Sequence, residues 1–201
     1  MALVLFGLTV VSGLIDAVSY LGLGHVFAAN MTGNVVVIGF ALAGAPGFSV
    51  LGSATSLGAF LLGAVCAGRL PRHRLRPALL TETALHVLAA VVVAVWGTHG
   101  AVQYPVIGLL ALAMGMRNGT VRSFGVPDLT TTVLTMTLTG LASDSRPAGG
   151  SAPRQRRRVL SALTMVAGAA PGAVLVLHHQ TTWALVAAAT LTATMAVLYR
   201  D

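Results

Sequence analysis

Apolar residues fill six long stretches of the chain, Leu3 to Leu23, Phe48 to Ala67, Ala78 to Trp96, Val102 to Met116, Val159 to Leu177 and Trp183 to Leu198, with polar residues gathered between them. Runs of this kind approach or reach the twenty or so residues that carry an α-helix across roughly 30 Å of hydrocarbon. Two further stretches, Met31 to Ala43 and Leu129 to Ala142, hold only 13 and 14 residues. As helices they span about 20 Å, too little for a full crossing. Ala45-Pro46-Gly47, Pro71, Pro77, Pro105, Pro127 and Pro147-Ala148-Gly149-Gly150 mark turns and helix ends. The pattern predicts an all-α, polytopic transmembrane helix bundle of six full spans plus two short half-helices or re-entrant segments, in one integral membrane domain over residues 1–201.

Composition agrees: 56% of residues are hydrophobic, 8% are charged, and the mean hydropathy is +0.85. The net charge of +7 does not require a nucleic acid partner, because all twelve basic residues are Arg and most fall in two clusters between apolar runs. These are Arg69, Arg72, Arg74 and Arg76 with His73, and Arg146, Arg154, Arg156, Arg157 and Arg158. Basic loops stay on the cytoplasmic side. Full crossing by all eight stretches would put the clusters on opposite faces; six spans and two half-helices put them on one face, with Arg117, Arg122 and Arg200. Both termini are then expected in the cytoplasm, and residues 143–158 form an Arg-rich, flexible cytoplasmic loop beside anionic lipid. Residues 1–25 read as a first mature span and not as a cleaved signal, since no basic segment opens the chain and Asp16 interrupts the apolar run. The single cysteine, Cys66, has no partner in the chain for a disulfide.

Asp16 is the most costly residue in this pattern. A carboxylate near mid-bilayer carries a penalty of about 2.5–3.5 kcal/mol on insertion scales. Asp16, Ser19 and Tyr20 stand at i, i+3 and i+4, so one helix face offers a carboxylate and two hydroxyls to a proton, a cation or a polar solute. The plainer reading makes Asp16 a hydrogen-bonded packing residue at the break near Gly22 and Gly24. Asn30, Thr32 and Asn34 lie at the start of the first short stretch, and Asp128, Thr130 and Thr131 at the start of the second. Half-helices starting there would aim free N–H groups and a positive dipole end at anionic groups or carbonyl oxygens, or would simply be capped by Asn30 and Asp128. Arg117, next to Asn118, reads either as a side chain snorkelling to cytoplasmic headgroups or as counter-ion to Asp16 or an anionic solute. Glu82 and His86 read as an interfacial hydrogen-bonded pair.

Faint internal repetition links Gly13-Leu14-Ile15-Asp16 to Gly115-Met116-Arg117-Asn118 at an offset of 102, and Met31-Thr32-Gly33-Asn34 to Thr130-Thr131-Thr132-Val133 at an offset of 99. Repeat units of 1–97 and 102–199, each with an odd number of spans, would be inverted relative to one another, a recurrent plan in secondary transporters. The strings Gly13-Leu14-Ile15-Asp16-Ala17-Val18-Ser19-Tyr20-Leu21 and Val26-Phe27-Ala28-Ala29-Asn30-Met31-Thr32-Gly33-Asn34 resemble the signature of the YoaK-like family of bacterial polytopic membrane proteins. Gly115-Met116-Arg117-Asn118 with Thr130-Thr131-Thr132 is similar to that family's second block. The resemblance implies an inner-membrane protein of about six spans and supplies neither substrate nor site residues. The chain departs from the family pattern in its short connections and at Val133 and Leu134, where a more polar or aromatic continuation belongs.

No His-Glu-x-x-His, P-loop, Gly-x-Ser-x-Gly or Rossmann pattern and no nucleophile–base pair occurs, so enzymatic activity is not expected. His178-His179 alone is a poor chelator, and neither metal nor cofactor is expected. Ala59/Gly63/Ala67, Gly115/Gly119 and Gly168/Gly172 are spaced for close helix packing in a tight bundle and leave a homodimer open. The expectation is a small secondary transporter or channel-like carrier in contact with the lipid bilayer. It would use a polar midplane site for a small polar or anionic solute, with proton coupling as an option and rocking of one repeat against the other as its motion. The alternative is a membrane scaffold or sensor whose polar core is structural.

Overall fold

A computed structural model describes residues 2–70, 74–124, 134–152 and 154–199. Arg72 and His73 of the first basic cluster, Pro71, Pro127, Asp128, Leu129 through Val133, and Arg200 lie outside the described residues. The described chain is helical, with no strand: α1 Ala2–Gly22, α2 Met31–Leu42, α3 Val50–Arg69, α4 Leu75–Trp96, α5 Gln103–Ser123, α6 Leu134–Ser143, α7 Gln155–Leu177 and α8 Thr181–Leu198. Helices α1, α3, α4, α7 and α8 are long and apolar enough to cross a membrane. Helix α5 is as long, with 21 residues, but carries Arg117, Asn118 and Arg122. Its polar load is tolerated because neighbouring helices cover it, burying eleven of its residues from Val106 to Val121.

Two buried clusters fix the direction of the helices. At one end, here face A, Val4, Leu5 and Leu8 from the start of α1 meet Leu75 and Leu79 from the start of α4, Val121 near the end of α5 and Met195 near the end of α8. At the other, face B, Leu23 and Val26 beyond α1 meet Val93 of α4, Val106 and Ile107 of α5, Val176 of α7 and Leu185 of α8. Thus α1 and α4 start at face A, whereas α5 and α8 end there. Glycine contacts orient the rest. Gly63 of α3 meets Leu112 and Met116 of α5, while Gly115 meets Phe60 and Gly119 meets Ala64 and Ala67, so α3 and α5 run parallel. Gly13 of α1 meets Met165 and Ala169 of α7, while Gly168 meets Val10 and Gly172 meets Leu14 and Ala17, so α1 and α7 run parallel. These are backbone-to-backbone approaches that any side chain would prevent, the expected use of small-xxx-small spacing.

The two glycine seams are related to each other. An offset of 102 carries Val10 and Gly13 of α1 onto Leu112 and Gly115 of α5, and an offset of 105 carries Phe60 and Gly63 of α3 onto Met165 and Gly168 of α7. The closest contacts correspond: Gly63 on Leu112 matches Gly168 on Val10, and Gly115 on Phe60 matches Gly13 on Met165. The partners are exchanged between the two halves of the chain, α1 lying on α7 and α5 on α3, while α4 lies on α8.

This threading puts the ends of α3 and α5 and the starts of α4 and α7 at face A. Among the described residues every arginine except Arg117 therefore belongs to face A. Residues 143–158 are more structured than the open loop expected from composition. Gln155 to Arg158 form the first turn of α7, Arg146–Ala148 make a 3₁₀ turn, and the Ala152 N–H donates to the Asp144 carbonyl at 2.8 Å. Arg158 ties the end of α6 to α7 by donating to Gly140 O and to Asp144 Oδ2, the latter at 2.7 Å. That guanidinium holds the Asp144 carboxyl below the usual carboxylate range.

Candidate polar site between two half-helices

The first short stretch is re-entrant. After α1 ends at Gly22, Gly24 with φ +85° and His25 with φ 60° reverse the chain. It then descends along the helix it has just left: the Ala28 N–H donates to Ser19 Oγ at 3.1 Å and the Ala29 N–H to Asp16 Oδ1 at 2.8 Å. The Asp16 carboxylate also faces the backbone amides of Ala28 and Asn30. Helix α2 starts there, with Asn30 Oδ1 accepting from the Gly33 N–H at 3.4 Å, and climbs back to face B. Its return is fixed by His25 Nδ1 at 3.1 Å from Gly47 O and by the rings of Phe40 and Phe48, 5.5 Å apart.

Irregular backbone at this depth must have its polar groups satisfied by protein. Asn34, fully buried, does so for both backbone groups of one residue: its Oδ1 accepts from the Phe27 N–H at 2.9 Å, and its Nδ2 donates to Phe27 O at 2.6 Å and to Ser56 Oγ at 3.1 Å. Ser56 of α3 donates to the same carbonyl at 2.6 Å. Tyr20 stacks on the Phe27 ring with centroids 4.6 Å apart.

Helix α6 ends at face A, where Arg158 holds it, and its first residues reach inward. Leu134, Thr135 and Leu138 share a cavity of about 490 Å³ with Asp16, Tyr20, Phe27, Asn30, Thr32 and Met165. Two short helices approaching from opposite faces therefore meet at one space of mixed lining, in which five of the fourteen residues are polar. It lies off the midplane: at 1.5 Å per residue, Asp16 is about 9 Å from the Gly22 end of α1 and about 21 Å from the Ala2 end.

Of the residues expected at the site, Asp16, Tyr20, Asn30 and Thr32 line the cavity together. Ser19 and Asn34 do not; both are turned to the loop's backbone and hold it in place. Asn118 donates to Met114 O at 2.8 Å on its own helix and is not among the residues lining the cavity. Asp128 and Thr131 lie outside the described residues. Thr135 was not anticipated; its position one residue into the second short helix is the signal that could have found it.

Arg117 takes neither expected role. It is 1% exposed, so it does not reach the headgroups, and its direct partners are not Asp16. Nη1 donates to Leu8 O at 3.0 Å and to Glu82 Oε1 at 3.1 Å, and Nη2 donates to Ser12 Oγ and contacts Met114 Sδ at 2.9 Å. Its charge acts on Asp16 only at longer range. Glu82 and His86, expected at the interface, are fully buried with it, and Thr192 of α8 faces Glu82. Ser12, halfway along α1, places this second polar cluster near the middle of the bundle.

These features define a polytopic helical membrane protein with a re-entrant half-helix and a buried ion pair. The chain belongs to the family described as Protein of unknown function (DUF1275), which it matches over residues 4–198. It is 33% identical over 143 residues to the UPF0700 transmembrane protein YoaK of Bacillus subtilis (strain 168), covering 68% of this chain and 64% of that one. The chain thus spans just under two thirds of the length of the curated relative it matches. No solved structure matches it. The resemblance read from residues 13–34 identified the right family.

Proposed function

We propose that the protein is a small-solute secondary transporter or channel-like carrier whose binding site is the cavity where α2 and α6 meet. The observation that carries the reading is the pair of short helices reaching one space from opposite faces, with Asp16, Tyr20, Asn30, Thr32 and Thr135 on its walls. A bundle that used polar residues only for packing has no need of a space of about 490 Å³ beside them. The solute inferred is small, polar and not anionic, because the Asp16 carboxylate already occupies the amides at the start of α2. The interchange of the glycine seams supports an inverted repeat of units 1–97 and 102–199. It argues against rocking of one unit on the other, since α1 is seated on α7 and α3 on α5 at backbone distance. Motion is assigned instead to the half-helices, which touch the bundle through α3 and α7. By the positive-inside rule face A is cytoplasmic, and both termini with it.

Stopped-flow light scattering on proteoliposomes, with glycerol, urea, formamide and ammonium as probes and acetate as the anionic control, tests the reading. Faster entry of at least one of the first four than into empty liposomes, reduced in Asp16→Asn and Thr135→Val, is expected. Asn keeps an acceptor for the Ala29 N–H while removing the charge. Entry indistinguishable from empty liposomes for every probe would favour the scaffold alternative.

A further inference from the structure

We propose that Glu82 and His86, held against Arg117 in the middle of the bundle, form a proton-binding site separate from the α2–α6 cavity, whose occupancy sets the charge facing Asp16. The coupling rests on the transport reading; proton binding itself does not.

Three buried polar atoms in this cluster have no hydrogen-bond partner, both ring nitrogens of His86 and Arg117 Nε, and Glu82 Oε2 has none beyond the Thr192 side chain that faces the carboxylate. Buried polar atoms are nearly always paired, because an orphan keeps the full cost of leaving water. A cluster kept only to hold helices together would gain by closing these gaps or by being replaced with apolar side chains of the same volume. Two of its three members, Glu82 and His86, change charge by taking up one proton, whereas Arg117 stays cationic. They stand at i and i+4 on one face of α4, so a proton reaching either lies beside the other.

Every element packed here contributes a nameable group: Ser12 and Asp16 from α1, Glu82 and His86 from α4, Arg117 from α5 and Thr192 from α8. With Glu82 ionised and His86 neutral, the Glu82–Arg117 pair has no net charge. One proton from water, bound at the carboxylate or the imidazole, leaves the cluster cationic, and Arg117 holds Ser12, which stands at i to Asp16's i+4 on the same face of α1. A proton in the cluster therefore favours the anionic form of Asp16, and by reciprocity an anionic Asp16 favours the proton. Charge in the middle of the bundle and binding in the cavity become linked without contact between them.

Glu82 is the chain's single glutamate, so carboxyl-¹³C-glutamate reports on it alone. Solid-state NMR of the full chain in lipid, between about pH 4 and pH 9, should show the Glu82 carboxyl passing between ionised and protonated positions. The midpoint should move by at least about tenfold in proton concentration in His86→Asn, in which the ion pair is intact, and by at least about twofold in Asp16→Asn. A Glu82 signal fixed in one state throughout, together with ¹⁵N ring signals of His86 (assigned by their loss in His86→Asn) that are also fixed, read in the unaltered protein, overturns the site. A midpoint indifferent to His86→Asn removes His86 from it, and one indifferent to Asp16→Asn overturns the coupling. Titration of Glu82 in a protein that admits no solute would retain the proton site and sink only the transport reading.

Discussion

Replacing Gly168 by alanine probes the seam on which the threading depends. A methyl carbon at Gly168 would lie 2.7 Å from the carbonyl carbon of Val10 on α1, whereas carbon atoms rest about 3.5–4.0 Å apart. Relief requires α1 and α7 to part by about 1 Å over a contact made of backbone, which cannot rotate away. Overpacking of this kind costs about 1–3 kcal/mol, somewhat offset by the better helix propensity of alanine. In a chain of this size that corresponds to a fall in midpoint of roughly 2–10 °C, measurable by thermal unfolding in detergent. Gly58 of α3, with nothing within 4 Å of an added carbon, is the internal control: Gly58→Ala should be neutral or stabilising by up to about 1 kcal/mol. Gly63→Ala, the counterpart in the other seam, should behave like Gly168→Ala. Equal stability of the Gly168 and Gly58 variants would refute the backbone seam and the parallel pairing of α1 with α7.

Two further outcomes test other parts of the structure. Asn34→Ala strips the Phe27 backbone of its amide-group partner and should lower stability by about 2–3 kcal/mol by the same unfolding measurement, with Asn34→Asp, which keeps the acceptor for the Phe27 N–H, less affected. In a Cys66→Ala background, single cysteines at Arg76 and Arg156 should react with an impermeant maleimide from one side of oriented vesicles, and cysteines at Gly44 and His179 from the other. Labelling of Arg76→Cys and Arg156→Cys from opposite sides would contradict re-entry of α6, the short helix between them.

The spans were legible because lipid demands long unbroken apolar runs, and the re-entrant segment because its run is too short and opens on Asn30-Met31-Thr32. Asp16, Tyr20, Asn30 and Thr32 were legible together because a helix and the loop descending it are neighbours in sequence as well as in space. Thr135 was not, since the cavity it shares with them joins the two halves of the chain. Ser19 and Asn34 were right as polar residues with a purpose but wrong as cavity lining: a backbone turned inside the membrane consumes hydrogen-bonding side chains before any solute does. Arg117 misled for a related reason. A long cation six residues from a helix end reads as reaching for headgroups, and only the packing of α4 and α1 around it reveals Glu82 as its counter-ion.

The crossed seating of the helices also has a bearing on how the molecule is made. Helix α1 is made well before α7, yet α7 carries the surface that Val10 and Gly13 are shaped to receive, more than a hundred residues later. Helix α3 must likewise wait for α5. A nascent chain halted after Trp96 would leave two notched helices in the bilayer with no seat for either. Neither half can be finished alone: α1 finds its seat only when α7 has been made, and α3 only when α5 has.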